Sequence, residues 1–197
     1  AWGRRRPTAR IAAALSVAAA VLLSYALNRL RPSVPPIDLR AHAALWRQIE
    51  RHVPPDAVIA GHPKDIDSIG IFAHRKTYLP HELAHPAYTR YYDEVVVPRT
   101  TKTFEALFAE DPRAIVAFAR AEGVDYLFYS TARLQPGRAD YNAPLNDVIN
   151  ALKNNGRPRA LLRINAERAL FSYPAATGPY RLVRISPGPD NVFGIEE

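Results

Sequence analysis

Seventeen consecutive residues, from Ile11 to Leu27, carry no charge: IAAALSVAAAVLLSYAL. A helix needs about 20 apolar residues to cross the hydrocarbon core of a bilayer, within a range of about 17–25. The run meets the lower bound, Asn28 and Leu30 extend it, and Arg10, Arg29 and Arg31 can snorkel from its ends. The expectation is a transmembrane helix over residues 11–30, with the lipid bilayer as its partner. Ala12, Ser16, Ala20 and Ser24 recur every fourth residue and form one stripe of small side chains. Such a stripe lets a second helix approach closely, so other transmembrane helices of the same or a partner protein are expected beside it. A secretory signal peptide is the rival, with Ser24-x-Ala26 as its small-residue cleavage site. No methionine occurs, even at position 1, so the chain is expected to begin inside a longer protein. Residues 1–10 then read as a basic loop whose Arg4, Arg5, Arg6 and Arg10 set the topology. Under either reading the domain that follows lies outside the cytoplasm.

The 197 residues leave room for that helix and one ordinary domain, and 48% hydrophobic residues suffice for a core. The net charge of +7 invites a nucleic-acid reading. The basic residues argue against it: only Lys64, Lys76, Lys102 and Lys153 are lysines, and the arginines beyond the first ten residues are scattered. No basic face or nucleic-acid-binding motif appears, and nucleic acid is not an expected partner. The absence of cysteine excludes disulfides, thiolate zinc sites and cysteine nucleophiles.

Residues 31–37 form a proline-rich linker, 38–186 the α/β domain, and 187–197 a tail. Asp38 reads as an N-cap, with Leu39, Ala43, Trp46, Ile49 and Val53 on one helical face and Pro54-Pro55 ending the helix. Ala57 to Gly61 is a short apolar strand of the kind buried on both faces. Segments 69–73 and 76–79 are too short for periodicity to decide, the first a helix or strand and the second a strand. Ala87 to about Ala109 is helical, with a break expected at Pro98. Asp111 caps the next helix, Pro112 takes its first position, and Ile115, Val116, Phe118 and Ala119 give its buried stripe. Gly123 closes it, and residues 124–129 run on as a strand. Leu145, Val148, Ile149 and Leu152 mark another helix, closed by Asn154-Asn155-Gly156. Strands near 168–173 and 180–185, joined by Thr177-Gly178-Pro179, form a C-terminal hairpin. The fold class is thus a small layered mixed α/β domain after one N-terminal transmembrane helix.

Ligands of open α/β sheets bind beyond the carboxyl ends of strands. His62, Lys64, Asp65, Asp67, His74 and Arg75 lie in or just beyond the segment leaving the first strand. A parallel strand at 124–129 would bring Ser130, Thr131 and Arg133 to the same edge. His62, Asp65, Asp67, Arg75, Ser130 and Arg133 are the candidate ligand-binding residues, with arginine and histidine suited to a phosphate or sugar carboxylate. A solvated edge with local ion pairs is the structural alternative. His81-Glu82-Leu83-Ala84-His85 matches the zinc hydrolase pattern H-E-x-x-H, in which histidines four apart on a helix share a metal. Pro80 and Pro86 flank it, and the residue before a proline leaves helical geometry, so a loop is expected and no metal is assigned. Tyr88, Tyr91 and Tyr92 with Arg90 could stack on a sugar or lie at a bilayer interface, with core and rim packing as the alternative. No cofactor motif is present.

The segments LWRQIERHVPPDAVIAGHP, FAHRKTYLPHELAHP and FAEDPRAIVAFARAEGVDYLFYS resemble the C-terminal tails of bacterial polytopic membrane proteins. Some of these belong to the C-type membrane glycosyltransferases, which use lipid-linked sugars. The likeness is one of layout over residues 11–130: a last membrane helix, a helix ending in a proline turn, a buried strand and a Gly-Val-Asp-Tyr strand. It implies a domain on the outer face of the bacterial inner membrane, with a lipid-linked sugar or polysaccharide as partner. In that family the catalytic acids lie in the first extracytoplasmic loop, to which nothing here corresponds. The resemblance therefore implies that no catalytic residue belongs to this fragment.

Overall fold

The computed structural model describes residues 7–30, 39–84, 89–135, 141, 145–155, 159–174 and 179–186. The expected Asp38 cap, His85, Tyr88, the Thr177-Gly178 turn and the tail from Pro187 lie outside the described residues. The chain divides into two units, residues 1–39 and 40–197.

The first unit holds helix α1, Pro7–Leu30. Its Ile11, Leu15, Val17, Val21, Leu22, Leu23, Tyr25 and Leu27 side chains are all exposed. At 3.6 residues per turn these eight positions are spread round the whole helix rather than along one stripe. Ser16 Oγ donates to Ala12 O at 3.0 Å, so one hydroxyl of the small-residue stripe is satisfied within the helix. Among the described residues no helix is long and apolar enough to cross a membrane, and the expected transmembrane helix is not shown.

The second unit is a mixed α/β domain. Its strands β1 (Val58–Gly61), β2 (Lys76–Thr77), β3 (Tyr126–Ser130), β4 (Ala169–Tyr173) and β5 (Tyr180–Arg184) form one sheet in the order β2-β1-β3-β5-β4. β1 is parallel to both β2 and β3, whereas β3–β5 and β5–β4 are antiparallel. The expected hairpin is therefore present, and the two central strands run parallel as the site argument required. Asp125 ties three strands together: Val58 N donates to its Oδ2 at 2.9 Å, and Ile185 N donates to its backbone O at 2.8 Å.

Helices α2 (Ala43–His52) and α3 (Pro63–Phe72) pack on one another, with the Trp46 ring stacked on Phe72 at 4.2 Å. The stretch expected to begin α2 is a 3₁₀ turn over Leu39–His42. Helix α3 was only partly legible: its second half falls in the ambiguous segment 69–73, and its first turn hides among charged residues. On the opposite face, Ala60, Leu127, Tyr129, Val183 and Ile185 join one core with α5 (Val97–Leu107), α6 (Pro112–Glu122), α7 (Leu145–Asn155) and α8 (Arg159–Arg168).

The region around Pro98 departs from expectation. A short helix α4 (Thr89–Tyr91) leads into a π-helical turn, Tyr92–Val96, and α5 follows without a break. Pro98 sits in the first turn of α5, where a missing N–H is harmless, and the wider turn absorbs the change of register: Val97 N donates to Tyr92 O. Asp111, Pro112 and Gly123 do what the sequence predicts for α6. Asp111 Oδ1 accepts from Arg113 N at 2.9 Å, and Gly123 takes the left-handed conformation at φ 63°. Glu122, at the carboxyl end of α6, receives hydrogen bonds from the Tyr78 hydroxyl and from Lys102 Nζ, the latter at 2.5 Å. These donors offset the poor placement of an acid at a negative helix end.

Candidate functional site

β1 ends at Gly61, and the chain turns directly into α3. A Cβ on Gly61 would lie 2.1 Å from Phe128 O and 2.9 Å from Ile66 Cγ2, so only glycine lets β1, β3 and α3 meet this closely. His62 then caps α3, its Nδ1 accepting from Lys64 N at 3.2 Å, with Pro63 in the first helical turn. Because Nδ1 accepts, the proton of the neutral ring sits on Nε2. His62 is 6% exposed, and its ring meets Phe104 and Tyr141 edge to face at 5.4 and 5.7 Å. Burial, followed by the positive charges of Arg133, Lys64 and Lys153, pulls its pKa down to about 2. His62 is a neutral, buried imidazole whose Nδ1 accepts the hydrogen bond that caps α3.

Asp65 lies in the first turn of α3, and Arg133 lies on the 3₁₀ turn Thr131–Leu134 that follows β3. The parallel pairing of β1 and β3 brings them together, with Arg133 Nε donating to Asp65 Oδ1 at 2.7 Å. The Asp65 side chain is 3% exposed and that of Arg133 36%. Burial raises the Asp65 pKa, and the Arg133 charge and hydrogen bond only partly oppose the rise. Asp65 Oδ2 has no hydrogen-bond partner among the described residues.

The other predicted residues are distributed unevenly. Ser130 ends β3 and is buried at the same strand edge. Asp67 Oδ1 accepts from Glu82 N at 3.1 Å, and its charge reaches Tyr141. Arg75 precedes β2, which pairs Lys76 with Val58 at the start of β1, and so stands at the opposite edge of the sheet. Its Nε donates to Val53 O at 2.6 Å and its Nη2 to Glu50 O at 2.5 Å, closing the end of α2. This Arg75 contact is structural.

Three contributors were not in the predicted site. Tyr141 receives His62 on one side and the His81 ring at 5.9 Å on another. Burial, then Tyr92 and Asp67 nearby, push the Tyr141 phenol up to about 12 against an opposing pull from Thr100. Thr100 opposes that rise as a hydrogen-bonding neighbour of the phenol, and the Tyr92 hydroxyl and His81 Nδ1 lack partners among the described residues. Lys153 of α7 is the third, its pKa lowered by partial burial and by Arg133. Thr100 left a trace in the sequence, being a polar residue on the face of α5 that otherwise buries Phe104 and Leu107. The neighbouring Thr103 is ordinary by contrast, its hydroxyl donating to Arg99 O at 2.8 Å.

His81 sits in a turn, and Glu82–Ala84 is a 3₁₀ segment, so the described part of the H-E-x-x-H pattern lacks the α-helical spacing that zinc ligation needs. Among the described residues no group of three His, Cys, Asp or Glu side chains is placed to hold a metal ion.

No family model matches the chain. No curated protein matches it either. Among solved structures it is similar to the C-terminal globular domain of an oligosaccharyltransferase from Archaeoglobus fulgidus, at 12% identity and a TM-score of 0.44. That match covers 77% of this chain and 99% of the other.

Proposed function

We propose that the chain is the extracytoplasmic α/β tail of a bacterial integral membrane protein of the kind that uses lipid-linked sugars in glycosyl transfer. The tail has no catalytic centre of its own, and it binds a ligand at the strand edge that carries His62, Asp65 and Arg133. One observation carries the anchoring: large apolar side chains are exposed on every side of α1 through seventeen uncharged residues. A helix apolar all round is at home in lipid or against other apolar helices. Leaving it in water costs about 25 cal/mol for each Å² of apolar surface. The glycosyltransferase assignment rests on the sequence segments that resemble those tails, and the ligand site on the unpartnered polar groups beyond β1 and β3.

The test is fractionation of bacteria expressing the full chain. The chain should sediment with membranes, resist alkaline carbonate extraction, and expose its domain to protease added to spheroplasts. A chain recovered in the soluble fraction, or cut after Ala26, overturns the anchor, and turnover of a lipid-linked sugar by the purified chain alone overturns the non-catalytic role.

A further inference from the structure

We propose that His62 is an acid-released pin: when its ring takes up a proton, the first turn of α3 opens while the rest of the domain stays folded. One residue holds that turn. His62 Nδ1 accepts from Lys64 N at 3.2 Å, and its backbone oxygen accepts from Asp65 N at 2.8 Å and Ile66 N at 3.2 Å. A proton on Nδ1 turns the acceptor into a donor that faces the Lys64 N–H, and the cap is lost. The ring also lies 5.4 Å from Phe104 and 5.7 Å from Tyr141, where an imidazolium would be stripped of water. Lys64 and Asp65 are half-buried, whereas Ile66 and Ile69 beyond them are buried, so the turn can open without emptying the core.

The surroundings favour release over adjustment. Arg133 from the turn after β3, Lys64 from α3 itself, Lys153 from α7 and His81 from the turn before Glu82 all set positive charge against a protonated ring. Helix α5 offers it Phe104, and the Tyr141 phenol, pushed up to about 12, stays neutral in acid. The carboxylate of the same turn, Asp65, is already paired with Arg133 at 2.7 Å. A proton is therefore accommodated by the ring leaving for water, where its ordinary value of 6.5 returns. Opening carries Asp65 with the turn, so acid also breaks the tie to Arg133 and frees the guanidinium beyond the carboxyl end of β3. Asp65 works against the pin, because its raised pKa makes the buried carboxyl of the closed form the better proton acceptor.

The pin rests on the geometry of the strand edge alone, so it fails separately from the anchor and from any ligand that binds there. The experiment follows amide hydrogen exchange of the full chain in lipid nanodiscs at pH 7 and pH 5, with and without low urea. Mass spectrometry, with fragmentation to single amides, reads Pro63–Phe72 and Tyr126–Ser130. The amides of Lys64, Asp65 and Ile66 should open by a route that urea does not promote, the mark of local opening, and acid should raise its equilibrium constant. A ring that titrates at its ordinary value once open makes the rise about 25-fold at most between pH 7 and pH 5, and Asp65 trims it. The β3 amides should open only by the urea-promoted route. His62→Asn, which keeps an acceptor for Lys64 N, should abolish the acid rise. Exchange of the α3 amides with the urea dependence of β3 at both pH values overturns the proposal. So does local opening that is equal at pH 7 and pH 5, or an acid rise that persists in a folded His62→Asn. Should that variant not fold, the contrast between α3 and β3 in the wild-type chain decides.

Discussion

Arg133 Nε donates to Asp65 Oδ1 at 2.7 Å, joining the first turn of α3 to the turn after β3 across 68 residues of chain. Removing the guanidinium leaves the carboxylate buried and unpaired. Breaking a buried pair costs about 3–5 kcal/mol, and the one-third exposure of Arg133 discounts this to about 2 kcal/mol for Arg133→Ala. Asp65→Asn with Arg133 intact should cost less, because the amide oxygen still accepts and no charge is buried. The folded Asp65 pKa is already raised, so protonation favours the folded state and the deficit of Arg133→Ala should shrink as acid neutralises the carboxyl. Denaturant unfolding of both variants at neutral and acid pH checks the order and the sign.

Gly61→Ala should be far more damaging than Gly70→Ala. The new Cβ would meet a backbone oxygen of β3 at 2.1 Å, which no rotamer change relieves, and Ile66 on the other side at 2.9 Å. Overpacking a well-filled core typically costs about 1–3 kcal/mol, and a clash with backbone belongs at or above the top of that range. The expected result is insoluble expression or a midpoint lowered by more than 10 °C, against an unchanged midpoint for Gly70→Ala, whose Cβ would meet nothing nearer than 3.8 Å.

What the sequence could disclose follows from how local each signal is. The cap, first-turn proline and left-handed glycine of α6 act within a few residues, and all three were legible. The parallel run of β1 and β3 was a condition of the expected site, and the pairing of the two strands meets it. Helix α3 was obscured because its polar first turn reads as loop, and the π-helical turn before Pro98 has no sequence signature beyond the proline. His62, Asp65 and Arg133 were expected at one strand edge because strand ends announce themselves, and the Asp65–Arg133 pair places two of them together there. Tyr141 and Thr100 were not singled out, since their meeting depends on how α5 folds over the sheet. Arg75, expected at the same edge, stands at the other ends of the strands, where its side chain donates to the backbone of α2 some 25 residues earlier.

Glu122 gives the domain an acid-sensitive tie. Hydrogen bonds from Lys102 and Tyr78 hold its carboxyl below the ordinary value of 4.5. A depressed carboxyl contributes stability that is fully present above the unfolded pKa and disappears as pH falls through the folded one. Glu122→Gln should therefore be less stable than wild type at pH 7. The two should converge below the ordinary carboxylate range, as read from unfolding midpoints across an acid series.

His62 should produce the opposite kind of signature, in a higher window. Its folded pKa is drawn down to about 2 by burial and by Arg133, against an ordinary 6.5 in the unfolded chain. Between those values the unfolded state binds a proton that the folded state refuses, so stability is full above 6.5 and declines as pH falls. One such proton corresponds to about 1.4 kcal/mol per pH unit, which makes this the steepest single contribution expected between pH 6.5 and 5. His62→Asn keeps an acceptor for Lys64 N and removes the titration, so it should flatten that part of the profile. The ring itself gives an independent check by nitrogen NMR. It should remain in the Nε2–H form from pH 8 to pH 5 in the folded domain, because Nδ1 is committed to the Lys64 amide. A ring that protonates near 6.5 would mean that His62 faces solvent instead of Phe104 and Tyr141.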